Sequence, residues 1–120
     1  MTRSLVVKLT SGADEAERAN QAFTVAATAV ASGVPVSLWL TGEAAWFAVS
    51  GRAESFDLPH ASSMADLRDA VLAGGRLTLC SQCAVRRSLT EDAVIAGVRL
   101  AGAATFVEES LRDGAQALVY

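Results

Sequence analysis

The chain has 120 residues, 52% of them hydrophobic and 19% charged, which fits one compact domain and excludes a disordered chain. The formal net charge of -3 at pH 7 disfavours nucleic acid and anionic membranes as partners, because both attract clusters of Lys and Arg. No segment approaches the roughly 18 apolar residues of a membrane span, and the first apolar run is too short for a signal peptide. We therefore expect a single domain, residues 1–120, in the cytoplasm.

The apolar pattern predicts an alternation of strands and helices along the chain. Short apolar runs that end in glycine turns are typical of buried strands, and apolar residues three or four positions apart are typical of helices. In chain order, the predicted elements are a strand at 3–9, a helix at 13–32, a strand at 34–40, a short helix at 43–51, a helix at 63–75, a strand at 76–80, a very short strand around 98–100, a helix at 102–114 and a strand at 115–120.

Capping residues support the ends of two of these helices. Ser11 or Asp14 is available as the N-cap of the helix at 13–32, and Gly33 ends it. Ser63 is followed by Asp66 three positions later, a pattern similar to a capping box with Asp in place of the usual Glu. Both helices therefore have local signals that agree with their apolar periodicity.

The alternation predicts an α/β fold. Parallel strands need crossover connections and bury both faces of their sheet, so we expect a three-layer α/β/α sandwich with a five-stranded parallel sheet. In open sheets of this kind, ligands bind outside the carboxyl ends of the strands. The turns at 10–12, 41–43 and 80–83 are expected to gather at that edge.

The segment RLTLCSQCAVRRSL, residues 76–89, carries the two cysteines of the chain, Cys80 and Cys83. In a reducing compartment a close cysteine pair is more often catalytic or metal-binding than a permanent disulfide. If a helix begins directly after Cys80, its sulfur faces unpaired backbone N–H groups, which favour the thiolate. Arg86 and Arg87 are candidates to add positive potential for the thiolate or a substrate. The alternative is that a cysteine at a strand end is only a small buried apolar residue. The presence of two cysteines at this spacing weakens that interpretation.

Other kinds of site have less support. A structural zinc site needs about four ligands, and the chain offers two cysteines and His60, which lies in a polar loop where a solvated side chain is expected. A zinc site shared between subunits stays open. Turns at Ser11, Gly12 and Gly42 are candidates to present backbone N–H groups to an anion, but neither the Walker A nor the dinucleotide glycine pattern is present. We expect no metal and no organic cofactor within one subunit.

The chain resembles the DsrE/DsrF-like family, which includes TusD-like sulfur-relay proteins and YchN-like proteins. The resemblance runs nearly end to end and is strongest in LCSQCAVRRSL and GVRLAGAATFVEESLRDGAQALVY. In this family the sulfur-carrying cysteine stands at the end of the third strand, several residues before an arginine pair, and that position is Cys80. TusD-like members have a small apolar residue where this chain has Cys83, whereas YchN-like members carry a second cysteine.

The resemblance implies a small sulfur carrier or sulfurtransferase. The Cys80 thiolate would accept a sulfane sulfur, hold it as a persulfide and pass it to a thiol of a partner, either a protein or a low-molecular-weight thiol. Two other functions stay open: a dithiol redox protein or sensor that uses Cys80 and Cys83, and a non-catalytic oligomeric binding module whose cysteines are structural.

The resemblance also implies a homo-oligomer, since relatives are typically trimers or hexamers. The sequence gives an independent reason to expect one. The second face of the helix at 13–32 carries Ala22, Val25 and Ala29, and the segment AAWFAV at 44–49 is apolar throughout. Together they offer more apolar surface than one sheet is expected to bury, and exposed patches of that kind mark interfaces.

Overall fold

A parallel sheet of five strands forms the centre of the molecule. The structure, a computed structural model, describes residues 3–120. Its strands are β1 (Ser4–Leu9), β2 (Val36–Leu40), β3 (Arg76–Cys80), β4 (Arg99–Ala101) and β5 (Ala115–Val119), and their spatial order is β4-β3-β2-β1-β5. All paired strands run parallel, which confirms the predicted α/β fold.

Four α-helices connect the strands within the described range: α1 (Ala16–Ala31), α2 (Met64–Gly74), α3 (Ser81–Arg86) and α4 (Ala103–Ser110). The predicted cap of α2 is confirmed, because the Ser63 hydroxyl accepts a hydrogen bond from the Asp66 backbone N–H at 3.3 Å. Gly33 follows the end of α1 with φ +82°, a conformation that glycine adopts without strain.

The register of the sheet divides its side chains between two unlike faces. Leu5, Val7 and Leu9 of β1 lie opposite Val36, Leu38 and Leu40 of β2, and these apolar residues join the core that contains α1 and α2. The opposite face carries polar and aromatic side chains under α4, among them Lys8, Ser37, Trp39, Thr78 and Arg99. The aromatic ring of Phe106 in α4 packs edge-on against Trp39, with ring centroids 5.4 Å apart.

Three details of the predicted helices were wrong. The helix at 13–32 begins with a 3-10 turn, Ala13–Glu15, and neither Ser11 nor Asp14 caps α1. Asp14 instead accepts a hydrogen bond from the backbone N–H of Gly12 at 2.8 Å. The helix at 102–114 is shorter than predicted, because α4 ends at Ser110 and the chain turns at Gly114, where φ is +82°.

The short helix predicted at 43–51 is a 3-10 helix, Gly42–Ala48. An α-helix on a protein surface has one apolar face, but this segment buries side chains on several sides, including Ala44, Ala45 and Phe47. The Phe47 ring packs edge-on against Phe23 of α1 at 5.4 Å. Packing between the sheet and α1, rather than helical periodicity, therefore sets the conformation of this segment.

The apolar residues that support the predicted oligomer are largely packed inside the subunit. Ala22 is fully buried, Val25 and Ala29 are half-buried, and most of the 3-10 helix lies in the core. These helices leave less apolar surface for an interface than predicted. Within residues 3–120, the exposed large apolar side chains lie elsewhere: Val85 on α3, Val107 on α4, Leu111 after α4 and Val119 on β5.

Among residues 3–120, no helix is both long enough and apolar enough to cross a membrane.

Candidate functional site

The two cysteines lie at the carboxyl end of β3, in different environments. Cys80 is the last residue of β3 and the N-cap of α3, and its side chain is half-buried. Cys83 lies in the first turn of α3 and is only 7% exposed. Both are free thiols. Because α3 begins directly after the strand, Cys80 stands at the helix end where backbone N–H groups have no intrahelical partner, although its side chain forms no capping hydrogen bond. A reagent from solution therefore meets Cys80 first.

Gly42 anchors the sulfur of Cys83. Its backbone N–H donates a hydrogen bond to Cys83 Sγ at 3.2 Å. Gly42 has φ +54°, and a Cβ atom there would stand 2.5 Å from the carbonyl oxygen of Thr10. Only glycine fits such a position without a shift of the backbone. Gly42, in the turn after β2, thus contacts both the buried sulfur and the loop after β1.

The environment of Cys80 favours its thiolate. Burial acts to raise the pKa of this thiol, because it disfavours the charged form. The backbone N–H and the thiol of Cys83, the backbone N–H of Gln82 and the positive charge of Lys8 act in the opposite direction, and the net result is a pKa below the ordinary value. A thiol with a lowered pKa is the more nucleophilic near neutral pH, since the thiolate is the reactive form.

The two arginines at the end of α3, Arg86 and Arg87, lie in different environments. Arg87 donates through Nε and Nη2 to Glu43 Oε2 at 3.0 and 2.8 Å, and through Nη1 to the carbonyl oxygen of Cys83 at 3.2 Å. Its guanidinium thus ties α3 to the 3-10 helix and is partly neutralised by Glu43, rather than pointing at a sulfur. Arg86 lies exposed on α3.

The first predicted anion-binding turn is packed closely against its neighbour. Ser11 is 6% exposed, and its hydroxyl has no hydrogen-bond partner within the described residues. A Cβ atom on Gly12 would stand 2.5 Å from the carbonyl oxygen of Glu43, so the loops after β1 and β2 touch there. The N–H groups of Gly12 and Gly42 are already taken by Asp14 and Cys83 of the chain itself.

The sequence interpretation missed two charged groups on the face of the sheet that carries Cys80. Lys8 lies on β1, with its Nζ 5.2 Å from the centroid of the Phe106 ring. Glu109 of α4 is buried and accepts hydrogen bonds from Ser37, Trp39 and Arg99. The sequence did contain a signal for Lys8, because a single lysine inside the apolar run SLVVKL needs a specific environment for its charge. Glu109 had no such signal, because charged residues are common on helices.

The cavities described for this chain leave the cysteines outside. One, of about 330 Å³, lies at the amino ends of β1, β2 and β3 and includes Arg76 and Glu109. A second, of about 240 Å³, is lined by residues such as Glu43, Trp46 and Arg52. Neither includes Cys80 or Cys83, and the half-buried side chain of Cys80 lies partly at the surface of the protein.

Possible metal ligands are scattered over the described part of the chain. Residues 3–120 contain no group of three or more His, Cys, Asp and Glu side chains placed to hold one metal ion. His60 lies exposed in its loop with φ +62°.

Comparison with protein families gives one match that spans the sheet and both cysteines. The sequence model of the DsrE/DsrF-like family matches residues 3–119. The chain belongs to the DsrE/DsrF-like family. Within this DsrE/DsrF-like chain, the match runs from the residue before β1 to the end of β5. A comparison with curated proteins finds no match.

Two solved structures share the fold of this DsrE/DsrF-like protein. The YchN protein from E. coli superposes with a TM-score of 0.80 at 15% sequence identity, and the alignment covers 100% of both chains. MTH1491 from Methanobacterium thermoautotrophicum, described as a protein of unknown function, superposes with a TM-score of 0.75 at 12% identity, covering 98% of this chain and 99% of that one. At such low identities these similarities show the fold alone.

Proposed function

We propose that this DsrE/DsrF-like protein carries sulfane sulfur on Cys80 as a persulfide and passes it to a partner thiol. The observation that carries the proposal is the contrast between the two sulfurs. Cys80 is accessible at the carboxyl edge of the sheet with a lowered thiol pKa, whereas Cys83 is buried behind it. A carrier needs one reactive and accessible thiolate, and it needs no metal or organic cofactor.

The chemistry consists of two thiol exchange steps. In the loading step the Cys80 thiolate attacks the outer sulfur of a donor persulfide, R–S–SH. A new S–S bond forms on Cys80, the donor S–S bond breaks, and R–S⁻ leaves with its electron pair. In the transfer step an acceptor thiolate attacks the outer sulfur of Cys80–S–SH, which regenerates the Cys80 thiolate. Atoms and charge balance in both steps, and no net oxidation occurs.

The surface position of Cys80 suits exchange with a protein or with a low-molecular-weight thiol. The half-buried Cys80 side chain lies outside both of the cavities described above, which suits a partner that approaches from the surface. Arg86, exposed on α3, adds positive charge to the approach of an anionic persulfide. A reducing compartment such as the cytoplasm would keep both thiols free.

A homo-oligomer, as a trimer or hexamer, is part of the proposal. Val107, Leu111 and Val119 are 52%, 78% and 67% exposed and belong to α4, the turn after it and the edge strand β5. Exposed large apolar residues grouped on adjacent elements suit an interface between copies. Analytical ultracentrifugation of the wild-type protein and of Leu111→Asp tests this: a lower mass for the variant is expected, and a monomeric wild type would contradict it.

Intact-protein mass spectrometry after incubation with a persulfide donor tests the carrier function. The wild type and Cys83→Ser are expected to gain the mass of one sulfur atom, while Cys80→Ser gains none. Cys83→Ser is the matched control, because it removes one thiol of the same motif but leaves Cys80. Sulfur on Cys80→Ser, or none on the wild type, would overturn the proposal.

A dithiol redox function is the second candidate, and the position of both cysteines at the start of α3 favours it. The backbone N–H and the thiol of Cys83 both act to lower the pKa of the Cys80 thiol. With a low-molecular-weight disulfide as oxidant, both thiols would form a Cys80–Cys83 disulfide while the oxidant is reduced to two thiols. A loss of two hydrogen masses without sulfur gain would support this function. If replacing both cysteines by Ser left partner binding intact, a non-catalytic binding module would be supported instead.

A further inference from the structure

Lys8 is a cation on the same face of the sheet as Cys80. It lies opposite Trp39 of β2, which lies opposite Thr78 of β3. Cys80 is two residues after Thr78, so its side chain leaves the sheet on the same side, one row nearer the carboxyl edge. Adjacent strands are roughly 4.8 Å apart, so β1 and β3 are separated by roughly 10 Å, a gap that a lysine side chain partly spans.

The surroundings of Lys8 leave its charge uncompensated. The side chain is half-buried, with Nζ over the Phe106 ring at 5.2 Å. Within residues 3–120, Lys8 forms no ion pair with a carboxylate. The buried carboxylate on this face, Glu109, is held by Arg99 at 2.7 Å together with Ser37. An ammonium group with no carboxylate partner attracts any other anion that forms nearby.

We propose that Lys8 is a positioning residue for Cys80: its ammonium group stabilises the anionic sulfur across the face of the sheet. The same attraction acts on the persulfide anion that Cys80 carries after loading. This inference rests on the proposed function only in one respect, namely that Cys80 reacts as a thiolate. It does not depend on sulfur transfer.

Other charged or titratable groups around this face either form hydrogen bonds or ion pairs of their own or lie away from Cys80. Arg99 of β4 donates to Thr78 and to Glu109. Arg76 begins β3, at the opposite edge from Cys80. The other groups on the elements beside Lys8 are Cys83 and Arg86 on α3, Arg87 at the end of α3, Glu108 and Glu109 on α4, and Tyr120 after β5. The positive charge of Lys8 also acts to lower the pKa of Cys80, which agrees with the geometry.

The pH dependence of Cys80 alkylation tests the role of Lys8. The wild type, Lys8→Met, Lys8→Gln and Lys8→Arg are treated with iodoacetamide over a pH series, and fragment-ion mass spectrometry separates Cys80 from Cys83. Met and Gln remove the charge and retain most of the side-chain length, whereas Arg restores the charge. Arg112→Met is the matched control, because it removes an exposed cation beside the cavity at the opposite edge of the sheet.

The expected result is a higher midpoint pH for Lys8→Met and Lys8→Gln, by about half a pH unit, which corresponds to about threefold less thiolate below the midpoint. Lys8→Arg and Arg112→Met should keep the wild-type midpoint. Added salt should raise the wild-type midpoint and affect the neutral variants less, because salt screens the attraction. The midpoint is the measurement of choice, because a less acidic thiol is intrinsically more nucleophilic and the rate alone understates the change.

Two results would overturn the inference: equal midpoints for the wild type and both neutral variants, or a Lys8→Arg midpoint that matches the neutral variants. Urea denaturation of each variant shows whether a change in folding accompanies the change in midpoint. A structural role alone would lower stability without a shift that Arg restores. If the midpoint shifts as expected but Cys80 never gains sulfur from a persulfide donor, the proposed function fails and the role of Lys8 stands.

Discussion

Replacing Glu109 with alanine is the sharpest test of how α4 is held on the sheet. The Glu109 side chain is 6% exposed and accepts three hydrogen bonds: 2.6 Å from Ser37 Oγ, 3.0 Å from Trp39 Nε1 and 2.7 Å from Arg99 Nη2. Burial acts to raise the pKa of this carboxyl, but these three partners outweigh it and lower the pKa. Glu109 is therefore an anion at neutral pH, and its loss leaves the Arg99 cation without a carboxylate and the buried indole N–H of Trp39 without an acceptor.

The size of the effect follows from those two orphaned groups. Removing one partner of a buried ion pair costs about 3–5 kcal/mol. Here Arg99 is 29% exposed, so water recovers part of that loss. An unsatisfied buried N–H on Trp39 costs about 1–3 kcal/mol. We expect Glu109→Ala to lower the free energy of unfolding by about 3 kcal/mol, and Tm by about 10 °C for a chain of this size.

Urea denaturation followed by tryptophan fluorescence measures this change, since Trp39 is itself part of the network. Glu108→Ala is the matched control on the same helix, because the Glu108 side chain is 76% exposed and its pair with Arg112 is 3.6 Å long. That variant should lose less than about 0.5 kcal/mol. Glu109→Gln should fall between the two, because it keeps an acceptor but loses the charge. Equal losses for Glu109→Ala and Glu108→Ala would refute the reasoning.

Three further predictions concern the loops around the cysteines and one surface ion pair. Gly42→Ala should cost at least about 1 kcal/mol in urea denaturation, because φ there is +54°, and should speed Cys83 alkylation; unchanged protection of Cys83 would count against its anchoring role. The pKa of the Glu54 carboxyl is lowered from 4.5 to about 2, first by its hydrogen bonds with Arg68, so its stabilisation is complete above pH 4.5 and is lost as the pH falls toward 2. Glu54→Gln should flatten the fall in Tm between those pH values, and an unchanged slope would contradict this. Arg87→Met should cost about 0.5–1 kcal/mol through the lost pair with Glu43 and leave the midpoint pH of Cys80 alkylation unchanged, whereas a raised midpoint would show that Arg87 acts on the thiolate.

The sequence was sufficient to predict the order and type of most elements. Local signals agree with the structure where they are strong: the β-branched run of β1, the Ser63 cap of α2 and the glycine after α1. The prediction failed where packing overrides local preference, as in Gly42–Ala48, which is apolar all round and has no periodicity of its own. Strand order was out of reach, because apolar runs do not specify their neighbours.

For the site, the sequence was sufficient to predict Cys80 at the end of β3. It was not sufficient to predict which charged side chains lie near Cys80. Arg87 follows the cysteines closely in sequence, yet its guanidinium binds Glu43, 44 positions away. Lys8 is far away in sequence but shares a sheet face with Cys80 through the register of β1, β2 and β3. Contacts of this kind depend on tertiary packing, which spacing along the chain does not encode.

The pairing of β1 with β5 has a consequence for the folding pathway. Thr10 donates both its backbone N–H and its hydroxyl to the carbonyl oxygen of Tyr120, across 110 positions of sequence. Because closing so long a loop costs more entropy than pairing β1, β2 and β3, we expect β5 and α4 to dock last. Until they do, Trp39 and Lys8 face solvent on an open sheet. We therefore expect the slow step of folding to be the one that covers the polar face of the sheet.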